Sequence, residues 1–334
     1  MMNAMVLSAC APISTRPLVL KNLPTPIPGT GEVLVKVRAC GLCRTDLHVI
    51  EGELPNPSLP LIPGHQIVGT VEECGPQCSH FKPGDRVGIA WLRYTCRNCE
   101  YCRAGNENLC PYSRYTGYHV NGGYAEYAVV SEAWAYEIPD VFSDVEAAPL
   151  LCAGIIGYRT LLRSNLPKGG SLAIFGFGSS AHITVQIAKS WGASVYVSTR
   201  GAKHQGFAKN FGAAWVGDTF DLPPVAVDSA IVFAPAGEIV PAALRAVKKG
   251  GTVALAGIHM SDIPAMSYEA HLFHEKNLRS VEANTRADGE ALLKEAAKIH
   301  LRPETTLFPL GEANEALRRL KDGEINGTAV LNIS

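Results

Sequence analysis

The run Ser171-Leu-Ala-Ile-Phe175-Gly176-Phe177-Gly178-Ser179-Ser180-Ala181 constrains this chain more than any other stretch. It opens as a short apolar strand, turns through G-x-G-x-x-A, and leads into His182–Trp191, which has helical spacing. Glycines let a backbone approach a pyrophosphate, and the free N–H groups and positive dipole end of the next helix attract its charge. In this strand–turn–helix setting the motif predicts a dinucleotide site, with Gly176, Phe177, Gly178, Ser179 and Ser180 as contacts. Beyond it the pattern alternates through Ser194–Ser198, Lys203–Phe211, Ala226–Phe233, Ile239–Lys248 and Gly251–Gly257. That alternation predicts an α/β unit with a parallel, doubly wound sheet.

The first half reads differently. Gly31–Arg38 alternates apolar and polar residues, and Gln66–Glu72 and Asp85–Ala90 are strand-like runs between Gly75-Pro76 and Pro83-Gly84 turns. Short strands with such turns predict a barrel-like β domain. Tyr118–Val130 reads as a further strand pair around Gly122-Gly123, and Asp144–Ser164 as one helical stretch carrying Cys152. Composition changes near residue 153, and 334 residues suit two domains. Residues 288–300 and 311–321 predict amphipathic helices, and Gly327–Ile333 a closing strand.

A net charge of −1 with 47% apolar residues gives no electrostatic footprint for a nucleic acid or a membrane surface. The N-terminal residues lack the basic and apolar runs of a signal peptide, and no apolar stretch is long enough to cross a bilayer. Ten cysteines in such a chain point to metal ligation before disulfides, and to the cytoplasm. Gly41-Leu-Cys-Arg-Thr-Asp-Leu-His48 places Cys43, Arg44, Thr45, Asp46 and His48 together, with His65 and Cys152 as further ligand types. A Cys/His/Cys set gives zinc three ligands and one open position, as catalytic zinc sites do. Cys96, Cys99, Cys102 and Cys110 can instead close a four-thiolate structural shell. An iron–sulfur cluster and disulfides are the rivals there, and the seven-residue gap before Cys110 favours zinc. Cys10, Cys40, Cys74 and Cys78 stand in no motif.

Cys43-Arg-Thr-Asp-Leu-His48, Gly64-His65 and Cys152-Ala-Gly154 resemble the zinc signatures of the medium-chain zinc-dependent alcohol dehydrogenases, most nearly the short microbial type. The likeness follows the whole chain in order. It implies a chaperonin-10-like β-rich catalytic domain of residues 1–152 and 289–334, a Rossmann domain of residues 153–288, and a cleft between them. The implied reaction interconverts alcohols with aldehydes or ketones by hydride transfer to or from a nicotinamide cofactor, with two zinc ions per subunit. By the same resemblance Thr45 bonds the substrate oxygen, and His48 ends a proton path through the cofactor ribose. Asp46 orients His65, Arg44 meets the pyrophosphate, and Trp91 lines the substrate pocket. A small-molecule alcohol or aldehyde is the partner, and the subunits form a dimer or tetramer.

Three positions depart from that pattern. Gln66 replaces a frequent carboxylate beside the His ligand, and Thr328 a frequent Arg. The acid expected about 20 residues after the Gly motif is missing. Thr199 and Arg200 stand there, with Lys203 and His204 beyond, so NADP(H) is favoured over NAD(H). A polyol or sugar dehydrogenase of the same superfamily is the enzymatic alternative. A non-catalytic redox sensor built on the zinc-thiolate lobe is the alternative of another class.

Overall fold

Glu32–Leu42, an eleven-residue strand, is the spine of the first unit in the computed structural model, which describes residues 1–333. Val33, Val35 and Val37 are buried along it while Arg38 is exposed. One edge pairs antiparallel with Gln66–Cys74. The other edge is shared: Tyr127–Ser131 takes Glu32–Lys36, and Thr328–Asn332 takes Ala39–Leu42. Register shifts at Leu34/Val35 and Val37/Ala39 bend the strand between its two partners. Arg86–Ile89 and Ala135–Glu137 extend the sheet one way, and Thr305–Pro309 extends it the other, parallel to Thr328–Asn332.

The last strand therefore belongs with the first residues. Ala329 and Leu331 lie in one apolar core with Val33, Ile67 and Val87. Each buried side chain of Leu or Val size stabilises by about 1.5–3 kcal/mol. The chain accordingly divides into one unit of residues 1–152, 284–297 and 303 onward, and a second of residues 153–283 and 298–302.

The second unit holds a six-stranded, all-parallel sheet. Its order is Trp215–Gly217, Ser194–Ser198, Ser171–Phe175, Val227–Val232, Val247–Leu255, Asn277–Ser280. Numbered along the chain this is 3-2-1-4-5-6, the Rossmann order, and the direction of winding reverses beside Ser171–Phe175. Ligands in such sheets bind beyond the carboxyl ends of the strands at that reversal. The Gly motif follows the carboxyl end of this strand.

Two sequence expectations change. Tyr118–Val130 yields one strand, Tyr127–Ser131, and not a pair. The residues before it press onto the loop carrying Gly64: Gly122, Gly123 and Tyr124 donate to the carbonyls of Ile62, Gly64 and Pro63. A Cβ at Gly122 would overlap the Gly64 carbonyl, so glycine serves close approach here rather than a hairpin turn. The stretch Asp144–Ser164 is also broken. Asp144–Ala147 and Ala148–Leu151 end at Cys152, whose φ of −138° and ψ of −70° are not helical, and Ala153–Arg163 starts afresh. Pro149 sits in the short 3-10 turn before the break. Among the described residues no single helix is long and apolar enough to cross a membrane.

Candidate active site

Helix Arg44–Ile50 starts from Cys43, whose backbone is extended at φ −141° and ψ −178°. Asp46 folds back to accept the Cys43 N–H through Oδ2 at 2.8 Å, which fixes the start of the helix and places an anion at its positive end. Its other oxygen faces Nδ1 of His65 at 3.3 Å, with both side chains 1% exposed. His65 enters from the loop before Gln66–Cys74, where Gly64 has φ +95°. A Cβ at Gly64 would overlap the Tyr124 ring, so only glycine lets this loop lie against it.

His65 Nε2 then lies 3.4 Å from Cys43 Sγ and 3.3 Å from Cys152 Sγ, and the two sulfurs are 3.9 Å apart. Zinc bond lengths of about 2.1 Å to nitrogen and 2.3 Å to sulfur, at tetrahedral angles, require donor separations of roughly 3.6–3.8 Å. The triangle fits a zinc-sized ion with small adjustments. Its electrostatics fit as well. Cys43 is held well below the ordinary thiol range, chiefly by the hydrogen bond from Cys152, with smaller help from His65 and the Thr45 hydroxyl. Burial would depress His65, but the charges of Asp46 and Cys43 overcome it and raise the imidazole to about 10. Cys152 is pushed up by its bond to Cys43 and by burial, so one thiolate, one thiol and an imidazole backed by a carboxylate make up the donor set, the residue types that zinc takes. Beside them Gln66 is fully buried, with neither amide atom hydrogen-bonded.

The second cluster is built locally. Cys96, Cys99, Cys102 and Cys110 bring their sulfurs within 4.8 Å of one another, and no disulfide forms. Sγ pairs stand 3.5 Å apart for Cys99–Cys102 and Cys96–Cys110, and 4.0 Å for Cys96–Cys102. The N–H groups of Cys99 and Cys96 donate to Cys96 Sγ and Cys110 Sγ at 3.3 and 3.4 Å. Such donors favour thiolate, and Cys96 falls to about 6, led by the backbone N–H of Asn98. Cys10, Cys40, Cys74 and Cys78 join neither cluster.

Around the first cluster, Trp91 is 8% exposed and meets His65 edge-on at 4.9 Å. It stacks on Tyr115 at 4.8 Å and on Tyr118 at 5.8 Å. Thr45 is half-buried, Arg44 is exposed on the first turn, and His48 is buried with Nδ1 against the Glu53 carboxylate.

In the second unit, Gly176 has φ +87°, and a Cβ there would crowd the Ala234 backbone. Gly178 caps the helix Ser179–Ser190 with open space where a side chain would be. Ser179 and Ser180 therefore present first-turn N–H groups beside a bare backbone, the requirement for a phosphate. Phe177 is 2% exposed and packs against Phe207 and Phe211, so only its backbone remains for a ligand. Thr199 is buried at the end of Ser194–Ser198, and Arg200 is exposed immediately before helix Gly201–Asn210.

Residues 29–140 match the family model "Alcohol dehydrogenase GroES-like domain", and residues 181–298 match "Zinc-binding dehydrogenase". The Mycobacterium tuberculosis protein named "Probable alcohol dehydrogenase AdhA" is 52% identical over 337 residues, covering 99% of this chain and 97% of that one. The chain belongs to the zinc-binding alcohol dehydrogenases. Cinnamyl alcohol dehydrogenase from Sorghum bicolor superposes with a TM-score of 0.90 at 27% identity, over 100% of this chain and 98% of that one. Acetophenone reductase from Geotrichum candidum, solved with NAD, superposes with 0.87 at 26% identity, over 99% and 97%. This alcohol dehydrogenase is an oxidoreductase that interconverts alcohols and carbonyl compounds with a nicotinamide cofactor.

Four residues of the site, Tyr115, Tyr118, Tyr124 and Glu53, escaped the sequence reading. Tyr118 and Tyr124 lie in the stretch read as strands, where alternation alone gives an aromatic no special role. Glu53 sits in a loop, and only the fold sets it against His48.

Proposed function

We propose that residues 1–152 and 289–334 form the catalytic domain of this alcohol dehydrogenase and residues 153–288 its nicotinamide domain. Each subunit would hold two zinc ions, one on Cys43, His65 and Cys152 and one on Cys96, Cys99, Cys102 and Cys110. The observation that carries the reading is the three-donor triangle, whose sulfur and nitrogen atoms lie 3.3–3.9 Å apart with Asp46 behind His65. Bound there, zinc supplies Lewis-acid polarisation of an alcohol or carbonyl oxygen, and the nicotinamide accepts or donates the hydride.

The chain's own residues do the rest. With a metal on Nε2, Asp46 would hold the remaining proton on His65 Nδ1 and so aim the Nε2 lone pair at the ion. Thr45, two residues from Cys43, is suited to hydrogen-bond the substrate oxygen through its hydroxyl. Oxidation of an alcohol releases one proton, and His48 is the nearby group fitted to carry that proton towards solvent. The wall of Trp91, Tyr115 and Tyr118 bounds the side of His65 with apolar surface, which suits simple alcohols and aldehydes better than polyols.

The first turn of Ser179–Ser190 is suited to the pyrophosphate. Arg44 carries a guanidinium suited to a phosphate, and Thr328 is fully buried in its strand. We read the cofactor as NADP(H), because Arg200, Lys203 and Thr199 follow the strand where an acid would repel a 2′-phosphate. The exposed Tyr94, Tyr101, Leu109 and Tyr112 of the cysteine lobe offer apolar area for a subunit contact, consistent with a homodimer or homotetramer.

Metal analysis together with 340 nm assays on ethanol, butanol, benzyl alcohol and sorbitol, using both cofactors, tests the whole reading. Two zinc ions and turnover of the first three alcohols are expected, and one zinc or turnover of sorbitol alone overturns it. Arg200→Ala should cut kcat/KM for NADP about tenfold and leave NAD nearly unchanged, as loss of a charge-assisted bond implies. An unmoved cofactor ratio refutes the role of Arg200.

A further inference from the structure

Two glutamates follow helix Arg44–Ile50 and make different contacts. Glu51 accepts the Ile13 N–H at 2.8 Å and pairs with Lys321 Nζ at 2.8 Å through both oxygens. Glu53 instead sets Oε2 against Nδ1 of His48. The His48 side chain is 11% exposed and that of Glu53 45%, so the pair leads from the buried helix to solvent.

The segment that carries Glu53 is fastened along its length. The N–H groups of Glu53 and Leu54 donate to the His48 carbonyl at 2.9 and 3.2 Å. The Tyr118 hydroxyl donates to the Pro55 carbonyl, and the Ser58 N–H donates to the Tyr118 carbonyl at 3.0 Å. Tyr118 is itself stacked on Trp91. These bonds fix the backbone from which the Glu53 carboxylate reaches the ring.

The other charges nearby are already engaged. Asp46 on the same helix serves Cys43 and His65. On the packed helix Ala313–Lys321, Lys321 is held by Glu51, Arg318 by Glu315, Asp322 and Glu324, and Arg319 by Glu324. Arg44 lies at the opposite end of His48's own helix.

We propose that Glu53 is the positioning residue of His48, fixing its Nδ1–H tautomer and stabilising the imidazolium formed when Nε2 takes up a proton. The inference rests on reading His48 as the proton acceptor of the reaction. One proton is released per alcohol oxidised. It binds Nε2 of neutral His48 and passes from there to water or buffer, which restores the neutral ring. Glu53 keeps its negative charge throughout and acts only through His48.

The test compares Glu53→Gln, Glu53→Asp, Glu51→Gln, His48→Gln and the His48→Gln/Glu53→Gln double variant, in the zinc-loaded enzyme. The readouts are the pH profile of kcat/KM for alcohol oxidation, rescue by imidazole buffer, and thermal melting. Glu53→Gln keeps an acceptor for Nδ1–H but loses the charge. Its pH profile of kcat/KM should differ from the parent's, because the charge facing the ring is gone. Turnover at neutral pH should fall about tenfold, less than the 10²–10⁴ typical of a positioned acid or base because solvent substitutes in part. Imidazole should restore it, Glu53→Asp should keep most of it, and Glu51→Gln should melt earlier with the parent profile. Glu53→Gln should change nothing further once His48 is Gln. A Glu53→Gln profile identical to the parent, or an effect that persists without His48, overturns the proposal while leaving the relay intact. An unchanged profile for His48→Gln overturns the relay itself, and the role of Glu53 with it.

Discussion

The two sulfur clusters of this alcohol dehydrogenase are assembled in opposite ways. Cys96 and Cys110 are 14 residues apart, and the whole four-cysteine set lies within that span. Its backbone N–H groups turn onto its own sulfurs, so the lobe organises itself. Cys43 and Cys152 are 109 residues apart and meet only through the sheet, the Gly64 loop and the break at Cys152. The local set has four thiol donors, enough to close a tetrahedral shell. The assembled set has three donors, of which His65 is buried and oriented by a carboxylate. Closed and local suits stability, whereas open and assembled suits chemistry, because only a scaffold from distant parts can shape the space around the vacant coordination direction.

Substitutions can break this contrast. Cys43→Ala should lower alcohol oxidation by roughly 10³-fold or more, since Lewis-acid polarisation is worth several kcal/mol and each 1.36 kcal/mol is tenfold. Its circular dichroism and melting should stay near the parent, and a fully active variant would end the catalytic assignment. Cys99→Ala should do the reverse, because a structural zinc site contributes folding free energy directly. A fall of about 10 °C in Tm with loss of one zinc is the expected result. If Cys99→Ala melted like the parent but lost turnover, the two roles would have to be exchanged.

Asp46→Asn sharpens the comparison from the assembled side. Losing the carboxylate behind His65 should weaken zinc binding at that site about 10–100-fold, read by competition with a chelator, with the four-cysteine zinc retained. Equal loss of both metals would deny Asp46 a local role. Glu107→Gln probes the local side. Arg286 donates to both Glu107 oxygens, at 2.8–3.2 Å, and its guanidinium lies 4.5 Å over Trp134, tying the lobe to helix Arg286–Lys298. Burial would raise the Glu107 carboxyl, but the bonds from Arg286 outweigh it and hold the group below its usual range. A lowered carboxylate stabilises the fold above its unfolded pKa, and that contribution is lost as pH falls through the folded value. The variant should therefore lose about 2 kcal/mol at neutral pH, and the gap to the parent should close in the acid range below about pH 4. A gap that does not depend on pH would assign the effect to packing on Trp134.

Much of this contrast can be read from residue order. The Gly motif carries its strand and helix on either side, and the four-cysteine lobe carries its own spacing. Alternation in Gly31–Arg38 marked a strand, but one covered on more than one face, since Leu34 is buried between Val33 and Val35. The same reasoning misread Tyr118–Val130, where the glycines allow close backbone approach instead of a turn. It also ran one helix through Cys152, where the backbone leaves helical geometry before a new helix begins.

By itself the sequence determined what is encoded within a few residues: the strand-turn-helix of the cofactor motif and the cysteine lobe. Local spacing suffices there because the interacting groups are held together by the chain itself. Tertiary structure alone decided that Gly64 makes room for Tyr124, that Asp46 faces His65, and that Glu53 rather than Glu51 meets His48. These pairings depend on strand register, on loops fastened by distant side chains, and on burial. A carboxylate two residues from another has the same local chemistry, and only the packed surroundings tell them apart.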